Sequence, residues 1–280
     1  MFEFIYALGS LFSFGCNSSI IKKSITDIGR HKSITYMYLT LITLLVLGAM
    51  LLNIKIELPL ELVPDYIAEI VIGALGVIAA FKAIEYGKVS ITSPVSKLYV
   101  LLVVAGGILL LGETLSTGQV MGSVIIVVAA ILLSVNDKMQ FKLEKWMIYL
   151  FISILCRAYY YTFIKTFVVV MGAYQTTMML EIGVAVCVIG FHLLRGRDLS
   201  IESPNKMGFA IVSGIMCFFG TVLYSLSVGA IGAALTAAIS AGSPIINTIS
   251  ARILVGEKLP LYKYIAIVLI AIGLIAILLF

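Results

Sequence analysis

Asn136-Asp137-Lys138-Met139-Gln140-Phe141-Lys142-Leu143-Glu144-Lys145 is the most polar stretch of this sequence, and it falls near the middle of the 280 residues. Before it lie apolar runs at roughly 4 to 22, 33 to 53, 66 to 86, 90 to 111 and 117 to 135. After it lie runs at roughly 146 to 168, 173 to 194, 206 to 227, 231 to 252 and 261 to 280. A run of about 20 apolar residues crosses a hydrocarbon core about 30 Å thick. The polar stretch therefore reads as a linker between five predicted spans and five more. The fold class that follows is an all-α membrane protein with ten transmembrane helices.

Composition supports the same reading. Hydrophobic residues make up 61% of the chain and charged residues 12%, against about 45–50% and about 25% in soluble domains. The net charge of +5 is not a nucleic-acid signal, because Lys and Arg stand in short clusters between apolar runs, as topology determinants do. Cys16, Cys156, Cys187 and Cys217 all fall inside predicted spans without CxxC spacing, which makes them small buried side chains rather than a metal or redox set. Lys22-Lys23 follows the first apolar run instead of preceding it, so that run is expected to be a retained span and not a cleaved signal.

Two sets of five spans invite a search for duplication. Shifting the second half back by 144 residues lays Leu254-Val255-Gly256-Glu257-Lys258-Leu259 on Leu110-Leu111-Gly112-Glu113-Thr114-Leu115, and Thr236 on Thr92. A slightly different shift lays Ile164-Lys165 on Ile21-Lys22. The chain is thus expected to hold a five-helix repeat at 1–135, a cytoplasmic linker at 136–145 and a second repeat at 146–280. An odd number of spans per repeat turns the second copy upside down. Charges agree: basic residues gather at Lys22, Lys23, Arg30 and Lys32, in the linker, at Arg195, Arg197 and Lys206, and at Arg252, Lys258 and Lys263. The intervening connections carry almost none. The positive-inside rule then puts the linker in the cytoplasm and both termini outside, in a multi-pass protein of the cell membrane.

With Leu-Gly-Glu after the fourth span and Val-Gly-Glu after the ninth, the chain resembles the EamA-type members of the drug/metabolite transporter superfamily over essentially its whole length. Tyr86-Gly87-Lys88-Val89-Ser90-Ile91-Thr92-Ser93-Pro94 and Leu226-Ser227-Val228-Gly229-Ala230-Ile231-Gly232-Ala233-Ala234-Leu235 resemble that family's short connection from third to fourth span. The resemblance implies an alternating-access carrier with its solute cavity between the halves, lined by the first, third and fourth spans and their counterparts. It implies no particular substrate. Bacterial relatives usually keep both termini in the cytoplasm, the reverse of what these charges indicate.

A charge in hydrocarbon costs on the order of 3 kcal/mol, so an ionisable residue within a span needs a reason. Arg157 lies near the middle of the sixth span and Glu181 within the seventh. Two readings stay open: a buried ion pair tying adjacent helices, or substrate groups, with Arg157 offering forked donors to a carboxylate or phosphate and Glu181 receiving an ammonium or a proton. Lys97 of the fourth span either lines the cavity or reaches the surface along its stem. Lys82 and Glu85, at i, i+3 spacing, read as an interfacial pair.

Tyrosines supply the second signal. Tyr159, Tyr160 and Tyr161 follow Arg157, but helical neighbours diverge by about 100°, so only Tyr160 or Tyr161 can share the Arg157 face. Together with Tyr99 and Tyr224, these could pack against an aromatic or cationic solute. Pro94 and Pro244 lie inside the fourth and ninth spans as hinges or kinks, where lost backbone hydrogen bonds are tolerable beside hydroxyls or a cavity. Gly118-Gln119-Val120-Met121-Gly122 is a small-residue step suited to internal helix packing.

No HExxH, GxSxG or P-loop occurs, and Ser19-Ile20-Ile21-Lys22 lacks the companions of an S-x-x-K enzyme. The expected function is a secondary carrier of a small polar metabolite, favouring an amino acid or related carboxylate, with an organic cation as the alternative substrate. The rival of a different class is an intramembrane enzyme or scaffold. No cofactor or metal is expected. The expected partners are the solute, the lipid bilayer and a coupling proton or ion, in a monomer or homodimer.

Overall fold

The computed structural model describes residues 3–86, 96, 98–134, 145–200, 204–246, 249 and 261–279. Every regular element among them is helical. In chain order these are α1 (Glu3–Ile28), α2 (Arg30–Leu51), α3 (Val63–Tyr86), α4 (Tyr99–Leu111) and α5 (Thr117–Ser134), then α6 (Lys145–Met171), α7 (Ala173–Leu194), α8 (Pro204–Ile231), α9 (Ala233–Ser240) and α10 (Leu261–Leu279). A short 3-10 turn, Leu60–Leu62, leads into α3. Helices are the expected solution in hydrocarbon, where each backbone N–H and C=O must find its partner within the segment.

Six of these helices are long and apolar enough to cross a membrane, and less than half of each is buried within the protein. The remaining surface is apolar: Leu109, Val169 and Leu279 are 79%, 71% and 74% exposed. Such a surface suits lipid and not water. The other four apolar helices are shorter over the described residues.

Helix ends depart from the sequence reading in two places. α1 runs past Lys22 and Lys23 to Ile28, with Lys23 Nζ reaching Asp27 Oδ1 at 3.1 Å one turn on. The ninth span is not continuous. After Ser240 the N–H groups of Gly242 and Ser243 reach back only three residues, to Ile239 O at 2.9 Å and Ser240 O at 3.1 Å. Pro244 then opens the next helical turn. Proline has no N–H to give the Ser240 carbonyl, and Ser243 takes that carbonyl instead.

The two halves repeat each other in backbone detail. Gly29, at φ 80 and ψ 162, precedes α2, and Gly172, at φ 81 and ψ 157, precedes α7, 143 residues on. These angles lie in a region almost reserved for glycine. α2 ends at Leu52 with φ −88 and ψ 0, and α7 ends at Arg195 with φ −86 and ψ 5, again 143 residues on. Helix pairing follows the same symmetry: α1 packs on α8, α3 on α6, α4 on α9 and α5 on α10. Exchanging the halves turns the first pair into the second and leaves the last two unchanged. Gly122, from the small-residue step, packs against the Gly273 carbonyl of α10.

The basic turns before α2 and after α7 share one end of the molecule. Lys32 Nζ meets Asp198 Oδ2 at 3.0 Å, Tyr36 donates to Leu199 O at 3.1 Å, and the rings of His31 and His192 meet edge to face at 4.6 Å. Backbone and side-chain hydrogen bonds from Ser200 and the ammonium of Lys32 hold the exposed Asp198 carboxyl down to about 2.

Candidate functional site

Arg157, Tyr160 and Tyr161 enter the centre of the molecule together because one helix, α6, carries all three. Tyr161 is the hub of an aromatic cluster. Its ring lies 5.4 Å from Tyr99 of α4, 5.5 Å from Tyr160 and 4.9 Å from Tyr224 of α8. The Arg157 guanidinium sits 5.9 Å above the Tyr99 ring, within the range of cation–π attraction. Tyr159 turns away and packs on Phe163 at 4.6 Å, as the divergence of helical neighbours requires.

Glu181 of α7 faces this cluster and accepts a hydrogen bond from the Tyr160 hydroxyl. It makes no ion pair with Arg157, so the inter-helix salt bridge is not formed. Each charge is instead carried by a tyrosine. Tyr160, Tyr161, Glu181, Thr177, Thr221 and Tyr224 line a narrow cavity with about 10 Å³ of free volume, about what one water fills. Phe14 of α1, Ile164 of α6 and Ser225 of α8 complete its wall. Thr177 donates to Ser225 Oγ at 2.6 Å, while the buried Tyr224 hydroxyl has no hydrogen-bond partner among the described residues. The lining thus offers a carboxylate, hydroxyls and aromatic faces, with a guanidinium one ring away.

This differs from the expected lining. α7 contributes Thr177 and Glu181, and the described residues of α3, α4 and α9, Tyr99 included, do not reach the cavity. The cavity straddles the pseudo-symmetry of the chain: 143 residues before Arg157, Tyr160 and Glu181 stand Phe14, Asn17 and Tyr38. Phe14 lines the cavity, and Asn17 accepts from Ser213 at 2.6 Å and donates to Cys217 Sγ at 3.2 Å. Among the described residues, the charged members of the site, Arg157 and Glu181, come from the second half. Pro94 and Lys97 lie outside the described residues, as does the side chain of Glu85; Lys82 places its ammonium 5.0 Å over the Tyr149 ring. A wider groove of about 530 Å³ between α2 and α7 is lined by Met50, Asn53, Ile54, Met178 and Ile182 and presents no charge.

Two buried carboxyl residues were not legible as such. Gly112 ends α4 in a left-handed turn at φ 64, and the N–H groups of Gly112 and Glu113 both close on Gly107 O, the latter at 2.9 Å; a glycine is the usual residue at such a helix end. That turn aims the Glu113 side chain back into the bundle. Its Oε1 accepts from Lys165 Nζ at 2.7 Å and from the Ala233 N–H at 2.7 Å, and its Oε2 accepts from the Ala234 N–H at 2.9 Å. The Leu-Gly-Glu motif of the first half is thus a clasp on α6 and on the positive N-terminal end of α9, both in the second half. The motif's position was visible in the sequence; the clasp was not. Val255-Gly256-Glu257 lies outside the described residues. The second overlooked residue is Glu69, wholly buried on α3 with neither oxygen hydrogen-bonded among the described residues. It stands one turn after the exposed acid Asp65, and only its place inside an apolar run sets it apart from the acidic loop before it.

Comparison with known proteins gives this geometry a family. Among curated proteins no sequence matches the chain. Solved structures do: 28 chains match, and one of them, described only as a crystal structure of a protein, superposes with a TM-score of 0.80 over 98% of this chain and 95% of its own, at 14% identity. Identity that low establishes the fold alone. The sequence profile of the EamA-like transporter family matches twice, at residues 1–135 and 144–279. With two matches that together span nearly the whole chain, on two halves that repeat each other's turns and helix pairings, the protein belongs to the EamA-like transporter family of the drug/metabolite transporter superfamily.

Proposed function

We propose that this chain is a secondary carrier that moves a small zwitterionic solute, an amino acid or a close relative, by alternating access to the tyrosine-lined cavity. One observation carries the reading: Glu181 and Arg157 stand unpaired to each other on either side of the Tyr160–Tyr161–Tyr99 cluster. A solute ammonium would take the Glu181 carboxylate and a solute carboxylate the Arg157 fork, each replacing a contact now made by a tyrosine. The halves at 1–135 and 146–280 would rock about their shared axis, with the Glu113 clasp closing one face. A second reading is favoured by the lining itself, since Glu181 and tyrosines border the cavity and Arg157 stands behind them. This is an organic cation held by carboxylate and aromatic faces alone. The charge pattern supports a cell-membrane protein with both termini outside.

Thermal stability of the purified protein against a panel of amino acids and amines separates these readings. A zwitterion site predicts stabilisation by amino acids that is lost in both Arg157→Ala and Glu181→Gln. A cation site predicts stabilisation by amines that is lost only in Glu181→Gln. Stabilisation undiminished in both variants would place the site elsewhere.

A further inference from the structure

Among the described residues, Glu69 is a buried charge-bearing group that neither the solute site nor the Glu113 clasp uses. It is 0% exposed, six residues into a 24-residue helix. Glu69, Gly73 and Gly76 share one face of α3 at i, i+4, i+7 spacing. That face lies on α6: a Cβ on Gly73 would come within 2.9 Å of the Tyr160 ring, and one on Gly76 within 2.8 Å of Cys156 Cβ. The repeat shows the same seam from the other half. The residues 144 positions after Glu69 and Gly73 are Ser213 and Cys217, and the residue 143 before Tyr160 is Asn17. Ser213 donates to Asn17 at 2.6 Å, and Asn17 donates to Cys217 at 3.2 Å. Where one half places a satisfied Ser–Asn–Cys contact, the other places a buried carboxyl one turn from the glycine that meets the Tyr160 ring.

The titratable groups facing Glu69 are Asp65 on its own helix, Tyr159 and Tyr160 on α6, and, beyond Tyr160, Glu181 on α7. No cation stands among them. A buried carboxylate without a hydrogen bond or counter-ion among the described residues is far too costly to sustain, whereas the neutral acid is tolerable. Tyr160 joins the two sites: its hydroxyl donates to Glu181, and both carboxyls act on it electrostatically.

We infer that Glu69 is a proton-binding site coupled to the solute cavity through Tyr160. In the arrangement described here its carboxyl carries the proton. When the α3–α6 seam opens to water, the O–H bond breaks, the proton passes to water on the side where Asp65 is exposed, and the carboxylate remains, hydrated. Its negative charge then lies beside Tyr160, so ionisation of Glu69 and occupancy of Glu181 bias each other reciprocally. The inference rests on the carrier reading only for what the proton drives, namely uphill movement of the solute.

The test is infrared difference spectroscopy of the full-length protein in lipid at neutral pH, with no solute present. The expected result is a protonated-carboxyl C=O band that is lost in Glu69→Gln, kept in Asp65→Asn, and shifted in frequency in Tyr160→Phe. A wild-type spectrum without the band overturns the inference whether or not any variant folds. So does a band that survives Glu69→Gln, or one that Tyr160→Phe leaves unmoved. Solute flux is read separately in the same liposomes. Absence of flux with the band intact strikes the carrier reading and leaves the proton site standing.

Discussion

Removing the Glu113 carboxylate strands three donors at once: the Lys165 ammonium and the Ala233 and Ala234 N–H groups. Breaking a buried pair by deleting one partner costs about 3–5 kcal/mol, and the partial exposure of Lys165, 27%, places this case near the lower end. Glu113→Ala is therefore expected to destabilise by about 3 kcal/mol, and Glu113→Gln, which keeps one acceptor oxygen, by less. Thermal unfolding of the two variants in detergent checks both the size and the order. The same residue marks what could be read from the letters. Gly112-Glu113 stood out by its matched place in the two halves, yet its partners lie 52 and 120 residues away, and no local pattern names them. Arg157 and Glu181 were conspicuous as charges inside apolar runs, but the tyrosines that hold them apart come from packing. Glu69 was hidden by its neighbours, because an acid one turn inside a span looks like the end of an acidic loop.

At the scale of elements, glycine decides how closely helices approach. Gly76 of α3 lies against Cys156 of α6, so Gly76→Leu must push the two helices apart. It is expected to cost about 1–3 kcal/mol, as overpacking does. Gly190 of α7 has nothing within 4 Å of the position a Cβ would take, and Gly190→Ala should be neutral or stabilise by up to about 1 kcal/mol. Reversible unfolding in mixed detergent, run on the pair, distinguishes close approach from simple helix propensity; equal costs for both would show that the α3–α6 seam is not tight. Span existence was legible in hydrophobic length alone. Span continuity was not: the break in the ninth span is set by which N–H reaches the Ser240 carbonyl when residue 244 has none to offer.

For the molecule as a whole, duplication is a quantitative statement. Gly29 and Gly172 hold matching glycine-only angles, and neither has an atom within 4 Å of an added Cβ. The cost of alanine at each is then conformational alone, about 1–3 kcal/mol. The two single variants should agree within about 0.5 kcal/mol, and the double variant should show their sum, as measured by unfolding midpoints. The repeat was readable from spacing and its inversion from charge, because both are properties of the chain as a line. The divergence at the centre, where Phe14, Asn17 and Tyr38 answer Arg157, Tyr160 and Glu181 at the 143-residue offset, gains meaning only once packing shows which of these residues meet. On the proposed reading, that asymmetry would suit a symmetric scaffold to a solute with two unlike ends. The most direct measurement of this account is counterflow of a labelled amino acid, chosen from the stabilising members of the panel, into liposomes holding the purified protein. The account predicts saturable counterflow that is abolished by Glu181→Gln and by Arg157→Ala while both variants remain folded. Counterflow at the wild-type rate in either variant would contradict it.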